Sequence, residues 1–279
     1  MAIKAVEKRK KRLSFTILSI ISFFWVMPVI WVISTSFKSE REAVRGELNL
    51  IPREFSLEGY RFIFTDDNHN ILHYIRNSFI AATGHTLLYL LIASLAAYGY
   101  GILRFKGRDK IFWLLISTMM IPAVMNLIPL YSIMIRFEWL NRLQALIIPG
   151  LGGIFGIFLL RQFNLTIPRE LIESAHIDGA NNFQIYLRII LPLTKPALIV
   201  VGLFSFMGNW NDYLWPLIVL HDNSVRTLPV GLALMQGTYN IYYARLMAAT
   251  VVSIIPVLAL FLASQRFFIK GITMTGIKQ

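Results

Sequence analysis

The sequence predicts an all-α integral membrane protein with six transmembrane helices, and three observations predict it. Of its 279 residues, 56% are hydrophobic and only 15% are charged, whereas a soluble domain carries about a quarter charged residues. Several runs of about 18 or more residues contain no Asp, Glu, Lys or Arg, which is long enough to cross a bilayer as helix. The basic residues collect in particular connections between those runs. Most of the chain lies in the apolar runs, so it forms one membrane domain with no large soluble one.

The elements follow in order. Residues 1–12 are a basic N-terminus containing Lys8-Arg9-Lys10-Lys11-Arg12. The apolar run behind it is too long for a signal-peptide core, and no small-residue cleavage site follows, so 13–37 is a retained first span. Residues 38–76 are polar and mixed, with the cluster Asp66-Asp67-Asn68-His69-Asn70, and form an extracytoplasmic loop. A core over 77–267 supplies five further spans, at 77–103, 111–135, 143–160, 196–220 and 246–265. A basic turn at 104–110, a polar island at 161–195 and a loop at 221–245 connect them, and 268–279 is the tail.

Six spans place both termini on one side. The side holding the N-terminus, the 104–110 turn, the island and the residues after the last span has 17 Lys+Arg against 5 Asp+Glu, and the rest has 10 of each. The whole net charge of +12 therefore lies on one side, which the positive-inside rule makes cytoplasmic. Topology accounts for the charge, and no nucleic-acid partner is required.

The spans carry features beyond anchoring. Ala93, Ala97 and Gly101 recur every four residues, a spacing that lets helices approach closely in lipid. Pro122 and Pro129 interrupt the third span and Pro256 the sixth, while Gly150, Gly152, Gly153 and Gly156 loosen the fourth. Single breaks of this kind are ordinary in membrane helices, but together they favour a moving bundle. His85 and Asn126 read as interhelical hydrogen bonds, and Trp25, Trp31 and Trp113 as interfacial or lipid-facing residues.

The island reads as two short helices with a sharp bend. Pro168 suits a first helical turn that Asn164 or Thr166 caps. Glu170 and Glu173 share a face near the positive end of that helix, and Arg169 pairs with Glu173. Gly179 supplies the left-handed residue that ends it. Asn181 or Asn182 caps a second helix whose apolar stripe is Phe183, Tyr186, Leu187 and Ile190, and Leu191-Pro192 stops it. This knob fits docking on a partner. The plain alternative is a helix pair lying on the headgroups, against which its exposed acids speak.

Chemistry elsewhere is sparse. Asp212 is the one acid within a span, with Asn209, Trp210, Asn211 and Trp215 around it. Stacking rings, amides and a carboxylate suit a sugar path, but the same residues equally bond neighbouring helices and shape the pore. No catalytic constellation appears. The five histidines at 69, 73, 85, 176 and 221 lack metal-ligand spacing, there is no cysteine, and no G-x-x-x-x-G-K-[ST] phosphate loop occurs. The chain is therefore expected to be neither an enzyme nor a metal protein, and to bind no cofactor itself.

Glu173-Ser174-Ala175, then Asp178-Gly179-Ala180, then Ile189 and Leu191-Pro192, resembles the EAA signature of ABC importer permeases, with Ser174 in place of the first Ala. Trp210-Asn211-Asp212 with Trp215-Pro216-Leu217, Thr227-Leu228-Pro229-Val230-Gly231-Leu232, Gln265-Arg266-Phe267 and Lys270-Gly271-Ile272-Thr273 extend the resemblance over nearly the whole chain. They are similar to the second, six-span permease of maltose-type sugar importers.

The resemblance implies a type I ABC importer architecture in a bacterial or archaeal cytoplasmic (inner) membrane, multi-pass and with both termini cytoplasmic. It implies half of a translocation path for a sugar or oligosaccharide, made with a second homologous permease in a heterodimer within membrane lipid. It implies two cytoplasmic ATPase subunits that carry ATP and Mg and couple through the 168–192 loop, and an extracytoplasmic substrate-binding protein. A rival reading keeps the machine and changes the cargo to glycerol phosphate or a polyol, although no Arg or Lys lies inside the spans to favour a phosphate. A more distant rival is an ion-coupled secondary transporter using Asp212, which leaves the island unexplained.

Overall fold

The computed structural model describes residues 2–46, 49–66, 70–236 and 242–275, with side chains from residue 9 to residue 265. Part of the Asp66–Asn70 cluster and the side chains of the C-terminal motifs from Arg266 onward lie outside the described residues. Helices dominate: α1 Ala2–Ser36, α2 Glu40–Val44, α3 Glu58–Thr65, α4 Ile71–Gly101, α5 Arg108–Ser117, α6 Leu127–Arg136, α7 Gln144–Ile147, α8 Ile154–Asn164, α9 Arg169–Ile177, α10 Asn182–Ile185, α11 Leu191–Leu193, α12 Lys195–Trp210, α13 Leu214–Val219, α14 Leu228–Met235 and α15 Tyr243–Thr275. The chain divides into two units, Met1–Ile71 with Leu232–Ile255, and Leu72–Gly231 with Pro256–Gln279.

In the first unit, α1 turns Phe15, Phe24 and Trp25 outward, as a helix surrounded by lipid does. It carries Pro28 without ending there. Its last turn is buried through Ser34, Thr35 and Ser36. The Ser34 hydroxyl donates to the Leu50 carbonyl at 2.6 Å, and Ser36 shares a hydrogen bond with the Tyr60 hydroxyl at 2.8 Å. Phe37 stacks on Phe55 at 5.3 Å. The segment after α1 is thus a folded cap holding α2 and α3. Its Glu42 carboxylate accepts the Arg53 N–H, which holds its pKa below the usual range.

In the second unit, α4 is the spine. Near its start, the Asn77 amide donates to the Ser224 and Arg226 carbonyls and the Ser78 hydroxyl accepts the Leu228 N–H. At its middle, His85 Nδ1 meets the Ile147 carbonyl at 2.9 Å. The Tyr89 hydroxyl donates to the Gly153 carbonyl and accepts the Gly156 N–H. Further on, Ala93 and Ala97 are fully buried against Ile157, Leu160, Ala197 and Val201. A Cβ on Gly101 would sit 3.0 Å from that of Asn164, so the four-residue repeat of small side chains does bring α8 close.

Several helix expectations need correction. Among the described residues, three helices are long and apolar enough to span, and up to five if each of two bent pairs makes one span. The expected third span is the first such pair, bent by 91° between Arg108–Met120 and Ala123–Arg136. Pro122 sits at that break; Pro129 does not break α6, because it falls in the first turn, where no N–H is needed. The expected fourth span is two helices, α7 and α8, separated by a glycine-rich break with Gly150 at φ +81°. Pro256 does not end α15, which continues past it.

Candidate functional site

The island begins where α8 ends. Pro168, with ψ 133°, turns the chain into α9, and no side chain caps that start. The Thr166 hydroxyl donates to Phe163 instead, and Asn164 is buried within α8. Arg169 and Glu173 lie beyond ion-pair distance of each other among the described residues. The expected caps and pair are therefore absent.

The far end of α9 is built tightly. Gly179 adopts φ +81°, its N–H donates to the His176 carbonyl at 3.0 Å, and the Ala180 N–H donates to the Ala175 carbonyl at 2.9 Å. This pair of bonds is a Schellman closure. Ala175 and Ala180 pack in one apolar cluster with Ile167, Ile185, Tyr186 and Ile190, which is the contact that such a closure favours. Small residues at 175 and 180 and glycine at 179 thus have one cause, a helix end that must fold back at close quarters.

Asn181 then opens the next helix with a capping box. Its side chain accepts the Gln184 N–H at 2.9 Å, and the Gln184 side chain accepts the Asn181 N–H at 2.9 Å. A π turn follows over Tyr186–Ile190. The extra residue in that turn shifts the register, so the buried set is Ile185, Tyr186 and Ile190 while Phe183 and Leu187 are exposed. The expected stripe is corrected accordingly. Pro192 does not stop the helix either, because the wide turn before it already lacks the regular ladder. The break falls at Thr194, where the path bends by 77° into α12.

Two tyrosines clamp the island to α4. The Tyr98 hydroxyl donates to the Asn182 carbonyl at 3.0 Å, and the Tyr186 hydroxyl shares a buried hydrogen bond with Ser94 at 2.8 Å. Sequence reasoning missed this clamp. Its signal was present as Ser94 and Tyr98, polar groups four residues apart on one face of an apolar helix. The clamp leaves an outer face free. Glu170, Glu173, Ser174, Asp178, Gly179 and Pro192 are exposed, Ile189 and Leu191 are half-buried, and Ile177 is 87% exposed. Ile177 and Phe183 are exposed apolar side chains in the same segment as the exposed Glu170, Glu173 and Asp178.

The second group of candidate residues does not converge. α12 ends at Trp210, which is buried and stacks on Phe206 at 5.6 Å. The Asn209 and Asn211 amides donate back to the carbonyls of Ser205 and Met207 on their own helix. The Trp215 indole donates to the Ala145 carbonyl at 2.8 Å. Asp212 therefore stands in a break between α12 and α13, correcting its expected place in mid-helix. Its carboxylate lies beside the backbone N–H groups of Tyr213, Leu214 and Trp215, and no side-chain hydrogen bond caps the start of α13. Asn141, with φ 57°, holds the chain beyond the other end of α13 by accepting the N–H groups of His221 and Asp222.

The sequence pattern of the family described as "Binding-protein-dependent transport system inner membrane component" matches residues 90–274, which include both groups of residues. The chain is 35% identical over 260 residues to the arabinooligosaccharides transport system permease protein AraQ of Halalkalibacterium halodurans, covering 92% of this chain and 93% of that one. It is 32% identical over 256 residues to the trehalose/maltose transport system permease protein MalG of Thermococcus litoralis, with 91% of each covered. Its fold is similar to a chain of a bacterial ABC transporter involved in the import of the acidic polysaccharide alginate. The TM-score is 0.83 at 24% identity, covering 94% of this chain and 97% of that one.

Proposed function

We propose a mechanism from one premise: this chain belongs to the family of binding-protein-dependent transport system inner membrane components. It is a multi-pass permease subunit of an ABC importer, a transport component rather than an enzyme. Its cargo is a sugar or oligosaccharide, as the names of relatives that carry arabinooligosaccharides and trehalose or maltose support.

The observation that carries the mechanism is the clamped island with a free outer face. A helix that moves as one body with α4 can pass a displacement into the membrane; a loosely held loop would absorb it. Ser94–Tyr186 and Tyr98–Asn182 make it such a body. The free acids and Ile177 then dock in a groove of a cytoplasmic ATPase, which supplies ATP and Mg. The residues that form this contact are Glu173, Ser174, Ala175, Asp178, Gly179, Ala180, Ile189, Leu191 and Pro192. Of these, Ala175 and Ala180 act from inside by closing the helix, and Ile189 and Leu191 by packing beneath it.

The chain pairs with a second homologous permease, and each contacts one of two ATPase subunits. A binding protein delivers cargo from the opposite side. With both termini and the island cytoplasmic, the loop over 38–76 is extracytoplasmic. The break at 211–213, with Asn209, Trp210, Asp212 and Trp215 around it, is the place where the path widens or closes. Uptake by the reconstituted complex is expected to survive ionophores and to stop when the phosphate-loop lysine of the ATPase is replaced. Uptake that collapses with the ion gradient instead would overturn this mechanism.

A further inference from the structure

A cavity of about 570 Å³ lies between the end of α4, the turn that follows it, the end of α8 and helix α9. That volume falls within the range of about 300–1,000 Å³ usual for small-molecule sites. Two guanidinium side chains line it, Arg104 from the turn and Arg169 from the first turn of α9. Neither forms an ion pair within the described residues. A second basic hollow, bordered by Lys106, Lys110 and the same two arginines, adjoins it. The one acid of that turn, Asp109, is already engaged by Arg108 and Arg161. The potential of the site is therefore set by unpaired cations.

Acceptors line the same cavity. Asn164 is 2% exposed, and its Oδ1 has no hydrogen-bond partner. A buried amide oxygen left unpaired costs about 1–3 kcal/mol, so such atoms are normally satisfied by something. Glu173 is a second acceptor in the lining and would repel a bare anion. Two guanidinium groups call for a phosphate, while Asn164 Oδ1 and the Glu173 carboxylate call for hydroxyl donors.

The geometry points to a binding site for a phosphate ester that carries free hydroxyl groups, held between Arg104 and Arg169 with its hydroxyls on Asn164 and Glu173. An occupant bridges α9 to the end of α4 and so fixes the island's position, which makes the site a regulatory one. Two sources share this chemistry: the glycerol headgroup of phosphatidylglycerol and a soluble polyol phosphate. Arg104, Arg169 and Asn164 lie outside the docking residues named above and Glu173 is shared with them; the side of the membrane from which the ligand arrives also rests on that mechanism.

The test uses the full-length chain purified in neutral detergent. Native mass spectrometry after delipidation reads retained phosphatidylglycerol against phosphatidylcholine. A thermal-shift titration reads glycerol 3-phosphate against inorganic phosphate. Retention of phosphatidylglycerol that falls at least tenfold in Arg104→Gln supports the lipid source. A glycerol 3-phosphate shift lost in the same variant supports the soluble source. Asn164→Leu should weaken either ligand while leaving inorganic phosphate unaffected, and Arg104→Gln carries the test if Asn164→Leu does not fold. Absence of both signals, signals unchanged in Arg104→Gln, or inorganic phosphate binding as tightly as glycerol 3-phosphate would overturn the proposal.

Discussion

The backbone N–H of Ala180 donates to the carbonyl of Ala175 at 2.9 Å, and this bond folds the end of α9 back on itself. It requires Gly179 at φ +81°, although a Cβ at Gly179 would meet nothing within 4 Å. The requirement lies in the local backbone conformation and not in contact with surrounding residues. A β-branched residue there costs about 1–2 kcal/mol of strain, and Asn less.

Gly179→Val is therefore expected to insert normally but to lose most uptake and ATPase co-purification, while Gly179→Asn keeps both. Equal co-purification of Gly179→Val and wild type would remove the island helix from the coupling mechanism. Glu173→Ala tests the surface rather than the closure. It should leave thermal stability within about 0.5 kcal/mol of wild type, as exposed substitutions do, and still weaken co-purification.

The Ser94–Tyr186 clamp yields an asymmetric pair of effects. The Ser94 hydroxyl also contacts the Leu91 carbonyl at 3.0 Å, so it retains a partner when Tyr186 becomes Phe. The Tyr186 hydroxyl makes no second hydrogen bond among the described residues and the residue is 4% exposed, so Ser94→Ala strands that hydroxyl. Tyr186→Phe should cost about 1 kcal/mol and Ser94→Ala about 1–3 kcal/mol. Thermal unfolding in detergent checks the order, and a reversed order would show that the clamp is not a closed pair.

Tyr89 and Gly156 predict a clash. A Cβ on Gly156 would lie 2.5 Å from the Tyr89 hydroxyl and 2.9 Å from Val201 Cγ1. Tyr89 cannot swing aside without losing its bonds to both Gly153 and Gly156. Gly156→Ala should destabilise the chain by about 1–3 kcal/mol. Tyr89→Phe in the same chain should recover only part of that, because Val201 remains in place. Full-length protein with unchanged melting in Gly156→Ala would show that the break before α8 is softer than these distances imply.

Much of this was legible because it rests on local chemistry. Gly179, Asn181 with Gln184, and the small residues at 93, 97 and 101 each act within a few residues, and each behaves as its type dictates. The prolines divide by position. Pro122 breaks its helix, whereas Pro129 falls in a first turn and Pro256 is carried within α15. A hydropathy run reports length and apolarity but is blind to a bend, so the 91° turn near Pro122 and the split of α7 from α8 were hidden. The π turn was hidden as well. One added residue moves Phe183 and Leu187 from the core to the surface, and no pattern of period 3.6 anticipates it. The tyrosine clamp depends on partners about ninety residues apart, beyond the reach of any window.

Asp212 offers the sharpest division between two roles. Its carboxylate lies beside the N–H groups of Tyr213, Leu214 and Trp215 at the start of α13, without a capping hydrogen bond. An oxygen beside the unpaired N–H groups of a helix start is favourable by no more than about the 0.5–2 kcal/mol of a full cap, and an asparagine oxygen serves nearly as well as an aspartate one. Charge is thus dispensable for the structural role, whereas a carboxylate that binds cargo or a proton needs it. Asp212→Asn is expected to keep most uptake and nearly all thermal stability, and Asp212→Ala to lose about 1 kcal/mol together with uptake. The indole of Trp215, held by the Ala145 carbonyl, should keep its fluorescence environment in the Asn variant and lose it in the Ala variant. Loss of uptake in Asp212→Asn at unchanged stability would instead assign the negative charge to the transport path, because an oxygen would still stand beside the helix start.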